Sequence, residues 1–169
     1  MNAMSGFAER SGIDTLADAF DWAAVSTVVD VGGGRGEVSI SLAERFTHLD
    51  FIVQDLKHVV SDCSSSLNGA EDLRRRVKFV EHDYFAPQKT VHADVYYFRY
   101  IFHNLPDDSC VELLKAQIPG RIYRSRRCIF PRLTGFIVAL KPGAHILIQD
   151  AVVPEPRVDL SAYKEKYRR

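Results

Sequence analysis

Val28-Val29-Asp30-Val31-Gly32-Gly33-Gly34-Arg35-Gly36-Glu37, or VVDVGGGRGE, runs a short apolar stretch straight into four glycines. The β-branched run predicts a buried strand over 27–31, ended by a tight turn, with a helix near 37–46 behind it. Glycine accepts positive φ and lets a ligand approach bare main chain. A helix opening near Glu37 aims its free N–H groups at the same place. Spacing sorts the ligands that use such a turn. A P-loop ends in Gly-Lys-Ser/Thr, which is absent here. The dinucleotide fingerprint Gly-x-Gly-x-x-Gly does not fit the register of Gly32 or Gly34. What stands is Asp-x-Gly-x-Gly-x-Gly, from Asp30 through Gly36. A tight strand-to-helix turn without a ligand would carry glycines too.

The rest of the chain alternates in the same way. IDTLADAF (13–20) puts Ile13, Leu16, Ala17 and Phe20 at helical spacing. DFIVQD (50–55) predicts a second strand, RVKFVEHD (76–83) a third, ADVYYFRYIF (93–102) a fourth and AHILIQD (144–150) a fifth. Between them a polar helix is expected over 57–68, and a helix with starting acids runs from LPDD to residue 118. Arg74-Arg75-Arg76 reads as a solvated helix end. Strands alternating with helices predict right-handed βαβ units: an α/β fold with a mostly parallel sheet and helices on both faces. Asp30, Asp55, Asp83 and Asp150 each close an apolar run, so in a doubly wound sheet four carboxylates would meet at one edge. Asp55 lies 19 residues beyond Gly36, where an acid at the second strand's tip accepts both hydroxyls of a ribose. Asp83, one strand further, is placed to reach an adenine amine.

Bulk composition narrows the field. The chain has 169 residues, 46% of them hydrophobic, enough for one domain with its own core. Lys and Arg number 22 against 22 Asp and Glu, which removes the electrostatic case for nucleic acid. No apolar run approaches a membrane span, and MNAMSGFAER lacks the apolar segment of a secretory signal. Cys63, Cys110 and Cys128 form no CxxC pair and suit a reducing compartment, so a cytoplasmic setting is expected. No residue cluster has metal-ligand spacing.

Five motifs in order, VVDVGGGRG, IVQDLKHV, VKFVEHDYFAP, FRYIFHNLPDDSC and ALKPGAHILIQDAVVPEP, resemble the cation-independent O-methyltransferases of plant phenolics and fungal secondary metabolites. The resemblance runs from about Phe7 to Pro156. It implies a Rossmann-like class I methyltransferase fold that binds S-adenosyl-L-methionine, with a small phenolic or polyketide hydroxyl as acceptor. By that resemblance Gly32 and Gly34 cradle the cofactor's amino-acid end and Asp55 holds the ribose. Asp83 and Tyr84 flank the adenine, and Arg99 stands where the family has lysine or arginine. His103 matches the catalytic base, and Asp150 falls where relatives carry an acid near it. Asn104 stands where many relatives have aspartate, which weakens electrostatic help to the histidine. The chemistry agrees: a phenol titrates near about 10 and an imidazole near about 6.5, so a free imidazole can take the proton as attack begins.

The chain also departs from the family. Residues 1–22 resemble the end of a linking region, 23–156 the cofactor-binding domain and 157–169 a tail. Set against that resemblance, the N-terminal region through which the family homodimerises and the last two strands of the sheet are expected to be absent from this sequence. Residues 120–138, with five arginines and no acid, interrupt an otherwise smooth join and read as retained intron or as a basic loop. An alternative reading is therefore a noncatalytic remnant, or a cofactor-binding fragment that needs another chain. A nicotinamide-binding oxidoreductase is disfavoured by the glycine register.

Overall fold

The computed structural model describes residues 12–67, 69–90, 92–117 and 141–150. Thr27–Val31 forms β1, buried from Val28 onward, as its β-branched composition requires. It pairs in parallel with β2 (Asp50–Asp55) on one side and β4 (Val95–Arg99) on the other. β3 (Val77–Glu81) adds beyond β2 and β5 (His145–Gln149) beyond β4, giving the order β3-β2-β1-β4-β5. Every pairing is parallel, as expected.

Period two divides the strand residues between two cores. Val28, Phe51, Val53 and Tyr97 face one side. There α1 (12–19) brings Leu16 and Ala17, and α2 (Glu37–Arg45) brings Val38, Leu42 and Ala43. Val29, Val31, Tyr96 and Phe98 face the other side, under Leu113 of α5 (Asp107–Gln117) and Ile101. Each large side chain buried here contributes about 1.5–3 kcal/mol. Residues 12–22, expected as the end of a linking region, pack Leu16, Ala17 and Trp22 into the first of these cores. The chain winds outward from β1 through β2 to β3, then returns to lay β4 against the other side of β1. This reversal opens a crevice at the carboxyl ends of β1 and β4.

Three elements differ from the sequence reading. The helix expected over 57–68 is broken into α3 (Lys57–Val60) and a 3-10 turn at Cys63–Leu67. Serines compete for backbone partners, and Ser65 Oγ donates to Asp62 O at 2.5 Å. The fourth strand stops at Arg99 because Tyr100 takes a left-handed φ of 55°. Arg76 is not solvated: it ends α4 (Glu71–Arg76) buried, whereas Arg74 and Arg75 are exposed. Its guanidinium donates to Ala43 O and Leu49 O, at 2.9 and 3.2 Å.

Among the described residues no helix is long and apolar enough to cross a membrane, and Cys63 Sγ donates to Val59 O at 3.0 Å. Cys128, the 120–138 stretch and the 157–169 tail lie outside the described residues.

Candidate functional site

Loops from the carboxyl ends of β1, β3 and β4 meet over the crevice. A Cβ on Gly32 would lie 2.6 Å from Ile101 and 3.7 Å from the Tyr84 ring. One on Gly33 would strike the Asp30 carboxyl at 2.6 Å, so the bare backbone there roofs this aspartate. Gly34, at φ 59°, has nothing within 4 Å of where its Cβ would stand; its side is open space. The loop hangs on β2, with the N–H groups of Gly32 and Gly33 both donating to Gln54 O, at 2.8 and 3.1 Å. A cleft of about 170 Å³ lies along it, lined by Gly32 to Gly34, Asp30, Glu37, Val38 and Arg99.

Asp30 shares its strand face with Val28, so it turns toward the first turn of α2 and accepts Ser39 Oγ at 2.6 Å. Burial pushes its carboxyl up to about 6; the Ser39 bond and Arg99 pull it down, and Asp55 pushes it up again. Asp55 sits at the tip of β2, where Oδ2 accepts Gly34 N–H at 2.8 Å and Oδ1 accepts Leu56 N–H at 2.7 Å. Each carboxylate oxygen keeps a further lone pair. Asp83, two residues past β3, is exposed and accepts Phe85 N–H at 2.9 Å. Tyr84 packs its ring edge-on to Phe85, with centroids 4.8 Å apart. Leu56, beside Asp55, is an exposed large apolar side chain that the sequence reading passed over.

His103 lies in a 3-10 turn (Phe102–Asn104) after β4. Its Nδ1 is bonded to Asp150 Oδ1, and its backbone N–H donates to Asp150 Oδ2 at 3.1 Å. Two bonds to one carboxylate orient the imidazole. Asn104 turns elsewhere, donating to Tyr100 O at 3.0 Å. Tyr100 was also missed from the sequence, where its left-handed backbone has no signal. Its exposed ring stacks against the Arg99 guanidinium at 4.6 Å and stands edge-on to His103 at 5.9 Å. His82, the other histidine at this edge, is 5% exposed, and burial followed by Lys89 pushes its imidazole below the usual range. The His103 side chain is 37% exposed, so it alone of this pair is open to an incoming molecule.

A doubly wound parallel sheet with a glycine loop after β1 and an acid at the tip of β2 defines a Rossmann-like α/β protein. The particular family follows from comparison: residues 2–125 match the model of the O-methyltransferase domain, and the chain belongs to that family. It is 42% identical over 170 residues to the grayanic acid biosynthesis cluster O-methyltransferase of Cladonia grayi, covering 98% of this chain and 33% of that protein. It is 38% identical to the O-methyltransferase aoiF of Aspergillus oryzae, over 98% of this chain and 36% of the relative. The chain thus spans about a third of the length of these curated relatives. Among solved structures it is similar to CalO1, a methyltransferase in calicheamicin biosynthesis in its SAH-bound form. There the TM-score is 0.64 and the identity 29%, over 90% of this chain and 38% of that one.

Proposed function

We propose that this chain is an S-adenosylmethionine-dependent O-methyltransferase of secondary metabolism, acting on a phenolic or polyketide hydroxyl with His103 as base. The observation that carries the reading is the pairing of His103 with Asp150 at the same sheet edge as the glycine loop. The residues present fit the cofactor. The bare cradle at Gly34 accepts a ligand that any side chain would obstruct. The cleft is smaller than the roughly 300 Å³ of a whole small-ligand pocket, which fits the amino-acid end beside Gly32 and Gly34. Asp55 would take the ribose, with Asp83 and Tyr84 toward the adenine and Arg99 beside the amino-acid end, in the cleft it lines with Gly32 to Gly34.

Bound S-adenosylmethionine supplies a methyl group already activated on a sulfonium. The chain's own work is alignment and proton removal. Asp150 holds the Nδ1–H tautomer, which leaves Nε2 to receive the acceptor's proton, and the same carboxylate stabilises the imidazolium that results. Asn104 supports the left-handed Tyr100 and takes no part in the proton transfer.

The test begins with saturable binding of labelled S-adenosylmethionine to the purified chain, followed by transfer to a panel of phenolic acceptors. His103→Ala is expected to keep the binding and lose transfer by about 10²–10⁴-fold. Unchanged transfer in that variant removes His103 as base. Binding without turnover on any acceptor replaces the enzyme with a cofactor-binding fragment.

A further inference from the structure

Gln54, Gln88 and Gln117 stand far apart in sequence, and the fold buries all three, with exposures of 1%, 4% and 0%. Their side chains form one relay. Gln54 Nε2 donates to Gln88 Oε1 at 2.8 Å and to Thr90 Oγ1 at 3.0 Å. Gln88 Nε2 donates back to Gln54 Oε1 and on to Gln117 Oε1, both at 2.9 Å. Gln117 Nε2 donates to Tyr84 O at 2.8 Å and to Leu113 O at 3.1 Å. Every amide N–H of the three is used.

The direction of the relay is settled at both ends by groups that have no second orientation. Thr90 N–H is a donor and falls on Gln88 Oε1 at 2.9 Å. Tyr84 O and Leu113 O are acceptors and demand the Gln117 nitrogen. Turning any one amide would set donor against donor.

Burying three amides costs free energy that apolar side chains would not. What the relay does that apolar packing does not is define the position of one carbonyl, that of Tyr84. The turn it holds closes on itself, with Phe85 N–H on Asp83 Oδ1 and Ala86 N–H on Asp83 O. At the other end Gln54 precedes Asp55, and its own carbonyl carries the glycine loop.

We infer that Gln54, Gln88 and Gln117 are positioning residues. They set the Asp83–Tyr84 turn at a fixed separation from Asp55, and so select an adenine nucleoside at this edge. The inference rests on the cofactor reading above.

Calorimetry of S-adenosylhomocysteine against its inosine counterpart, on the full chain, tests it. The wild type is expected to prefer the adenine ligand. Gln117→Met is expected to bind it about tenfold more weakly, the worth of one or two buried hydrogen bonds. The preference over inosine shrinks with it, and hydrogen exchange at the Phe85 and Ala86 amides becomes faster. The triple variant Gln54→Met, Gln88→Met, Gln117→Met leaves no glutamine of the relay unpaired, so it is expected to be no less stable than Gln117→Met while the preference stays lost. It also serves if the single variant does not fold. A triple variant that keeps both affinity and preference overturns the inference, as does a wild type that binds the two ligands alike. A wild type that binds neither overturns the cofactor reading itself.

Discussion

Beneath Gly33, Asp30 is cut off from water, and ionising it there costs folding free energy. Its carboxyl stands at about 6 in the folded chain against 3.8 in the reference state. Between those values the native state holds a proton that the unfolded chain has released, so unfolding free energy falls as pH rises. The full loss is roughly 3 kcal/mol. Denaturant titrations across this window are expected to show that decline in the wild type and not in Asp30→Asn. An equal slope in both would place the effect elsewhere. The glycines of the same loop separate cleanly by substitution. Gly34→Ala meets open space, so it costs only the left-handed strain of about 1–2 kcal/mol, yet its methyl enters the cleft and weakens S-adenosylhomocysteine binding. Gly36→Ala, at φ 75°, places a methyl 2.8 Å from Phe79 and 3.3 Å from Val53. It is expected to cost about 2–4 kcal/mol by the same unfolding measurement.

Helices α2 and α4 are tied by one guanidinium. Arg76 serves the Ala43 carbonyl in the last turn of α2, the Leu49 carbonyl just before β2, and Asp72 in its own helix at 2.5 Å. Arg76→Met leaves two buried carbonyls without that donor and is expected to destabilise the chain by about 3 kcal/mol. Arg74→Met, on the exposed side of α4, should change it by no more than about 0.5 kcal/mol. A urea midpoint series on the two variants checks the contrast. The three arginines are adjacent in sequence and alike in type, so only helical phase and the neighbouring strand distinguish them. The serine run at 64–66 is the opposite case. Its competing hydroxyls were visible in the sequence, and weighing them against the helical pattern would have shortened the helix expected there.

At the scale of the whole molecule, strand positions and the parallel sheet were legible because local patterns carry them, whereas the order β3-β2-β1-β4-β5 came only with the fold. β-branched runs bounded by glycine make strands, and alternation with helices makes a parallel sheet. His103 entered only through the family resemblance, whereas the glycine loop and the acids at or just beyond the strand ends were readable from spacing. Which partner each side chain meets was not. His103 and Asp150 lie 47 residues apart in sequence, and β4 and β5 must pair before the imidazole has its carboxylate. Asp30 was legible as an acid but not as a buried one, because burial depends on α2 and Gly33 closing over it. The glutamine relay joins β2, the loop before β4 and the end of α5, and no local signal announces it. The sequence by itself determined which residues could form strands, turns and a nucleoside-binding edge, since those follow from short-range sterics and periodicity. The tertiary structure alone decided which polar groups lose water and which partners they gain, since desolvation and hydrogen-bond geometry arise only when distant segments pack.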